Sequence, residues 1–204
     1  AKDLFQVLNY AVGKEQEPHS PCSAGIHPWY IDEAMDVQFA ALNEVANKTN
    51  ILAIGECGLD KICTTAWATQ LEAFELQIQL AQKINKPLVI HCVRAYAEVL
   101  QLLKQYRVDI PVFFHGVHKK QAVIDTLLQH GYYVGLGSFI CHGGHDETIR
   151  SIALDKIFLE TDDKSTDIVA IYSYFCRVRN ITIETLQQQL VQNLSDVFNY
   201  NIIP

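Results

Sequence analysis

Apolar residues along the 204-residue chain follow two alternating rhythms. Short runs rich in β-branched and aromatic residues recur as "FQVLNYAV" (5–12), "CSAGIH" (22–27), "ILAIGE" (51–56), "LVIHC" (88–92), "VFFHG" (112–116), "YYVGLG" (132–137) and "IFLET" (157–161). Between most of them the apolar positions return every three or four residues. Examples are Met35, Phe39, Leu42 and Val45, then Trp67, Leu71, Phe74, Ile78, Ala81 and Ile84. The first rhythm predicts seven strands; the second predicts helices with one apolar stripe. Two further helical stretches, "DIVAIYSYFCRV" and "TIETLQQQLVQNLSDVFNY", close the chain. Asp32 is expected to cap the first helix, and Gly131 to follow the helix of residues 119–130 in a left-handed conformation. The polar, proline-bearing link "GKEQEPHSPC" predicts a loop.

Regular alternation of parallel strands and helices leaves an open doubly wound sheet or a (β/α)8 barrel. No G-x-G-x-x-G or G-x-x-x-x-G-K-[ST] follows any strand, so the phosphate loops of nucleotide-binding open sheets are absent. Polar residues instead finish several different strands, which is how a barrel assembles its active face. The expected fold class is therefore α/β, a (β/α)8 TIM-type barrel with one strand fewer than the ring requires. No repeat, low-complexity tract or linker divides the sequence, so residues 1–204 are expected to form a single barrel domain.

Composition narrows the function. A hydrophobic content of 49% supplies one substantial core. No apolar run approaches the roughly 18–20 residues of a membrane helix, and "AKDLFQVLNY" lacks the regions of a signal peptide, so a soluble protein with no membrane partner is expected. Six cysteines without a C-x-x-C pair suit free thiols in a reducing, cytoplasmic setting. A net charge of −7 argues against a broad basic surface for duplex nucleic acid, so a bound phosphate must be held by a local site.

Five expected strands finish on, or one residue before, a group that can bind a metal: His27, Glu56, His91, His115 and Asp162. At the C-terminal ends of barrel strands such groups converge on one mouth. A lone histidine there is more often a hydrogen-bonded core residue, but burying Glu56 and Asp162 unpaired would be costly, and a cation at their centre removes that cost. His19, His118 and His130 read as surface residues, while His142 and His145 in "CHGGHD" either border the mouth or belong to an exposed glycine-rich loop. Cys57 and Cys92 directly follow Glu56 and His91, so their side chains are expected on the opposite face.

The segments "AGIHPW", "IGECGLD", "QLEAFELQIQLAQKINKPLVIHCVRA", "FFHG", "YYVGLGS", "FLETDD" and a terminal helix bearing Asn193 resemble, in order, the TatD-type metal-dependent deoxyribonucleases of the amidohydrolase-like superfamily. The resemblance implies hydrolysis of phosphodiester bonds by a metal-activated water, with one or two divalent ions (zinc, magnesium or manganese). It implies Glu56, His91, His115 and Asp162 as metal ligands, Glu56 touching both metal positions, and Asp162 with Glu56 as the catalytic pair. It implies His27 and Arg94 as contacts to substrate phosphate, and DNA ends or short oligonucleotides as substrate; no protein partner follows from it. The chain departs from the family in reading "ETDDKST" after the final motif and "HCVRA" around Arg94. It also lacks a first strand bearing H-x-H, residues 5–12 aligning with the second, so the domain is expected to be N-terminally incomplete, with one well-held ion and impaired turnover. The alternatives are a metal-dependent hydrolase of another small substrate and a non-catalytic binding barrel.

Overall fold

The computed structural model describes residues 5–14, 16–118, 120–162 and 166–201. They belong to two compact units, Ala1–Val112 and Phe113–Pro204. All seven expected strands form: β1 (Leu8–Ala11), β2 (Cys22–Gly25), β3 (Ile51–Asp60), β4 (Leu88–Val93), β5 (Val112–Phe114), β6 (Tyr133–Leu136) and β7 (Ile157–Leu159). Helices α1 (Met35–Val45), α2 (Trp67–Ile84), α3 (Tyr96–Gln105), α4 (Gln121–Gln129) and α5 (Asp146–Ser151) follow β2 to β6 in turn. Two more, α6 (Ile168–Arg179) and α7 (Ile183–Phe198), follow β7. The first unit runs β1-β2-β3-β4 and the second β5-β6-β7, every described pairing within a unit being parallel. The described residues thus form an α/β arrangement of the (β/α)8 TIM type with seven strands among them. No described residue between β1 and β2 is helical, as the proline-bearing link predicts.

Strand β2 is buried along its whole length and β3 nearly so, as expected of a parallel sheet covered on both faces. In the first unit Leu42, Ile54, Leu59, Phe74, Ile78 and Ile90 are buried, and in the second Phe114, Leu127, Val134, Phe175 and Leu186. Cys57 and Cys92 are buried, and no described helix is long and apolar enough to cross a membrane.

Strand β3 does not stop at Glu56 but continues to Asp60. Between the pairs Ile54↔Leu88 and Cys57↔Ile90 it advances three residues while β4 advances two. The extra residue makes a bulge that takes Glu56 out of the ladder and re-aims its side chain. Pairing resumes at Cys57 and continues through Gly58, whose φ is +140°; a Cβ on Gly58 would lie 2.1 Å from the carbonyl oxygen of His91. Only glycine lets the two backbones approach this closely.

Two amides on one face of α2 position the strand ends. Gln77 accepts from the Ile26 amide at 2.7 Å and donates to the Ile26 carbonyl at 3.1 Å. Two turns earlier, Gln70 accepts from the Asp60 amide at 2.8 Å and donates to its carbonyl at 3.1 Å. Both glutamines are buried and give backbone groups at the ends of β2 and β3 their partners. In the second unit the buried Asn193 of α7 plays a similar part, donating to the carbonyls of Leu154 and Ile157, each at 2.8 Å.

One helix start differs from expectation. The N-cap of α1 is Ala34, and Asp32 instead accepts from the Ala34 amide at 2.9 Å. Aspartate two residues ahead of its donor closes a local turn, which competes with the capping geometry. Gly131 follows α4 at φ +80°, as expected.

Candidate metal centre

In the first unit, His27 lies just beyond β2, Glu56 on the bulge of β3 and His91 on β4. Among the described residues this is the one group of three potential ligands, one atom from each lying within 4.8 Å of the others. Their side chains keep 7%, 11% and 10% exposure. Glu56 Oε1 is 2.9 Å from His91 Nδ1 and 3.4 Å from His27 Nε2. Asn9 on β1 clamps the same residue, donating to Glu56 Oε2 at 3.1 Å and accepting from the Glu56 amide at 3.0 Å.

Proton placement follows from the neighbours. Asp60, fully buried, receives Trp29 Nε1 at 2.6 Å, the Ile62 amide at 2.8 Å and His91 Nε2 at 3.2 Å. Burial alone would raise its pKa, but these donors more than offset it and hold the carboxyl below its ordinary value. An ionised Asp60 only accepts, so Nε2 of His91 carries a proton. Its Nδ1 lies 2.9 Å from Glu56 Oε1, a contact that either a shared proton or a shared cation satisfies. His27 is arranged the other way round. Its Nδ1 accepts from the Trp29 amide at 3.1 Å, so in the neutral ring Nε2 bears the proton and points at Glu56 as a donor.

The donor set fits a divalent cation. Imidazole nitrogen and carboxylate oxygen are the ligands of zinc and related ions, and a ligating histidine that gives its other N–H to a carboxylate is the usual supporting arrangement. His91 Nδ1 and Glu56 Oε1 are the atoms that would hold the ion, and His27 Nε2 borders the same point 3.4 Å from Glu56 Oε1.

The second unit gathers its own acids around an imidazole. His115, just past β5, has Nδ1 3.3 Å from Glu160 Oε1 and Nε2 4.0 Å from Asp162 Oδ1. Glu160 also accepts from the Gly116 amide at 2.6 Å, and its carboxylate lies over Gly135, where a Cβ would approach it to 2.7 Å. Asp162 is half exposed and left-handed at φ +54°. Arg94, exposed and left-handed at φ +56°, is the first residue after β4. The structure thus brings Glu56, His91 and His27 together in one unit and His115 and Asp162 together in the other.

Comparison with known proteins decides the family. The family described as TatD related DNase matches residues 5–199. The chain belongs to this family. TatD relatives include a 3'-5' ssDNA/RNA exonuclease TatD of Edwardsiella piscicida, 31% identical over 146 residues, 69% of this chain and 56% of the relative. The chain thus spans little more than half the length of that relative. An uncharacterized metal-dependent hydrolase of Haemophilus influenzae is 26% identical over 198 residues, 86% of this chain and 76% of the relative. Among solved structures, the TatD homolog YjjV of Escherichia coli superposes with a TM-score of 0.77 at 22% identity, covering 88% of this chain and 78% of that one. The TatD fold is therefore shared where little of the sequence is.

Four groups at these TatD sites escaped the sequence reading: Asn9, Trp29, Asp60 and Glu160. Asp60 and Glu160 stood inside quoted motifs, and a polar Asn9 within the apolar run 5–12 was a usable signal. Trp29 closed the quoted "AGIHPW", but an aromatic residue after a strand is ordinary and gave no chemical reason to single it out.

Proposed function

We propose that this TatD-family protein is a metal-dependent phosphodiesterase acting on DNA ends or short oligonucleotides. The observation that carries the reading is the convergence of His27, Glu56 and His91, one ligand atom of each within 4.8 Å of the others and His91 Nδ1 2.9 Å from Glu56 Oε1. Glu56 and His91 would hold the ion, and His115 and Asp162 are the proposed ligands of the second unit. A bound divalent ion supplies a water of lowered pKa and stabilises negative charge on the phosphate. The remaining work falls to the protein's own groups. Asn9 keeps the Glu56 carboxylate aimed, and Asp60 keeps the His91 proton on Nε2. In the first unit His27 and Arg94 are the proposed hydrogen-bonding contacts to substrate phosphate oxygens, and in the second Asp162 is the proposed proton acceptor.

The net charge of −7 supports ends and single strands over long duplex, and the Edwardsiella relative, a 3'-5' ssDNA/RNA exonuclease, points to a single-stranded end. The test is an end-labelled single strand incubated with zinc, manganese, magnesium or chelator. Metal-dependent stepwise shortening, lost in Glu56→Gln, is expected. An intact strand with every metal, while the protein binds metal tightly, would overturn the phosphodiester assignment in favour of another small substrate.

A further inference from the structure

Trp29 is the odd member of the first-unit cluster. It is 54% exposed, yet an exposed side chain is rarely so constrained. Its indole Nε1 donates to the fully buried Asp60, and its backbone amide donates to His27. The ring stands nearly perpendicular to both imidazoles, at 5.1 Å and 84° from His27 and 5.7 Å and 75° from His91. Two other exposed apolar residues border the same groups. Tyr30, 42% exposed, has its ring centroid 5.4 Å from that of His27; Ile62, 60% exposed, gives its amide to the second Asp60 oxygen.

We propose that Trp29, flanked by Tyr30 and Ile62, is a preorganised platform that stacks the base of the nucleotide whose phosphate meets His27. The inference rests on the phosphodiesterase reading and adds to it a residue that recognises the nucleotide. Three observations carry it. An indole fixed by a hydrogen bond to a buried carboxylate has already given up its rotamer freedom, so stacking on it costs little further ordering. Its exposed surface adjoins groups suited to an anion and a cation, the distribution that a flat aromatic ring joined to a phosphate requires. The rim is apolar and aromatic, which suits base faces of any sequence.

The direct test is an abasic scan. Short oligothymidylates with phosphorothioate linkages, which slow cleavage, are made abasic at one position at a time and their affinity for the zinc- or manganese-loaded protein is measured. Wild type should lose about 5-fold to about 150-fold at one position and much less elsewhere. Trp29→Phe, which keeps a ring but not the N–H, should retain most of that positional loss. Trp29→Leu should bind the intact strand more weakly and show no further loss at that position. In a Trp67→Phe background, where Trp29 is the remaining indole, the intact strand should quench emission and the abasic strand should not. That readout and the wild-type scan do not depend on Trp29→Leu folding. A flat scan with unquenched emission, in a protein that binds and cleaves single strands, would overturn the platform and leave the phosphodiesterase reading standing. No oligonucleotide binding at all by metal-loaded protein would overturn both.

Discussion

His91 Nε2 lies 3.2 Å from Asp60 Oδ2, the same oxygen that receives the Trp29 indole at 2.6 Å. One buried carboxylate oxygen therefore sets the tautomer of His91 and the orientation of Trp29. Asp60→Asn offers only one accepting oxygen and can turn its NH2 toward the imidazole, releasing the Nε2 proton. Zinc affinity measured by calorimetry is expected to fall about 10- to 100-fold, the usual effect of losing such an outer partner. Unchanged affinity would place the ion away from His91.

Metal should stabilise the fold through Glu56. A ligand at 100 times its Kd adds about 2.7 kcal/mol to the native state. Wild-type protein should therefore unfold at a higher temperature with zinc or manganese than with chelator. Glu56→Gln should unfold at one temperature in both, while Asn9→Ala, which loosens the clamp on Glu56, should need more metal for the same shift.

Gly58 and Gly116 both have positive φ but differ in what surrounds them. A Cβ on Gly58 would meet the His91 carbonyl at 2.1 Å, whereas none would be met within 4 Å at Gly116. Urea unfolding should show Gly58→Ala destabilised by about 3 kcal/mol or more, with backbone collision added to strain, and Gly116→Ala by about 1 kcal/mol from strain alone. Equal losses would mean that β3 and β4 separate easily beyond the bulge.

Alkaline pH should weaken the fold through a buried thiol. Burial, then the charge of Glu17, pushes Cys22 from 9.0 to about 11 against the opposing effect of Lys86. With the folded pKa above the unfolded one, the contribution is complete below about pH 9 and is lost as pH rises to about 11. Lys86 works in the opposite sense. Burial lowers its pKa while its ammonium donates to the carbonyls of Ala46, Lys48 and Ile51, so its contribution grows as pH rises. Stability measured from pH 8 to 11 should fall less steeply in Cys22→Ala than in wild type. An identical slope would show that this thiol ionises equally in both states.

Much of this protein was legible in one dimension because its strands and helices are built from local apolar rhythm. A run such as "LVIHC" cannot lie half in water, and the stripe from Trp67 to Ile84 has only one helical face to bury, so element type and order follow from the sequence. The residue types of a metal site were legible for a related reason, since Glu56 and His91 sit where a purely structural strand has little use for charge. What each does was decided in three dimensions. Whether His27 offers a lone pair or a proton depends on the Trp29 amide, and the tautomer of His91 depends on Asp60, 31 residues away in the chain. The bulge that aims Glu56 arises from the register of β3 against β4, and the strand ends are held by Gln70 and Gln77, polar residues buried on a helix face. Hydrogen-bond partners and pairing register are properties of neighbours in space, and no local pattern encodes them.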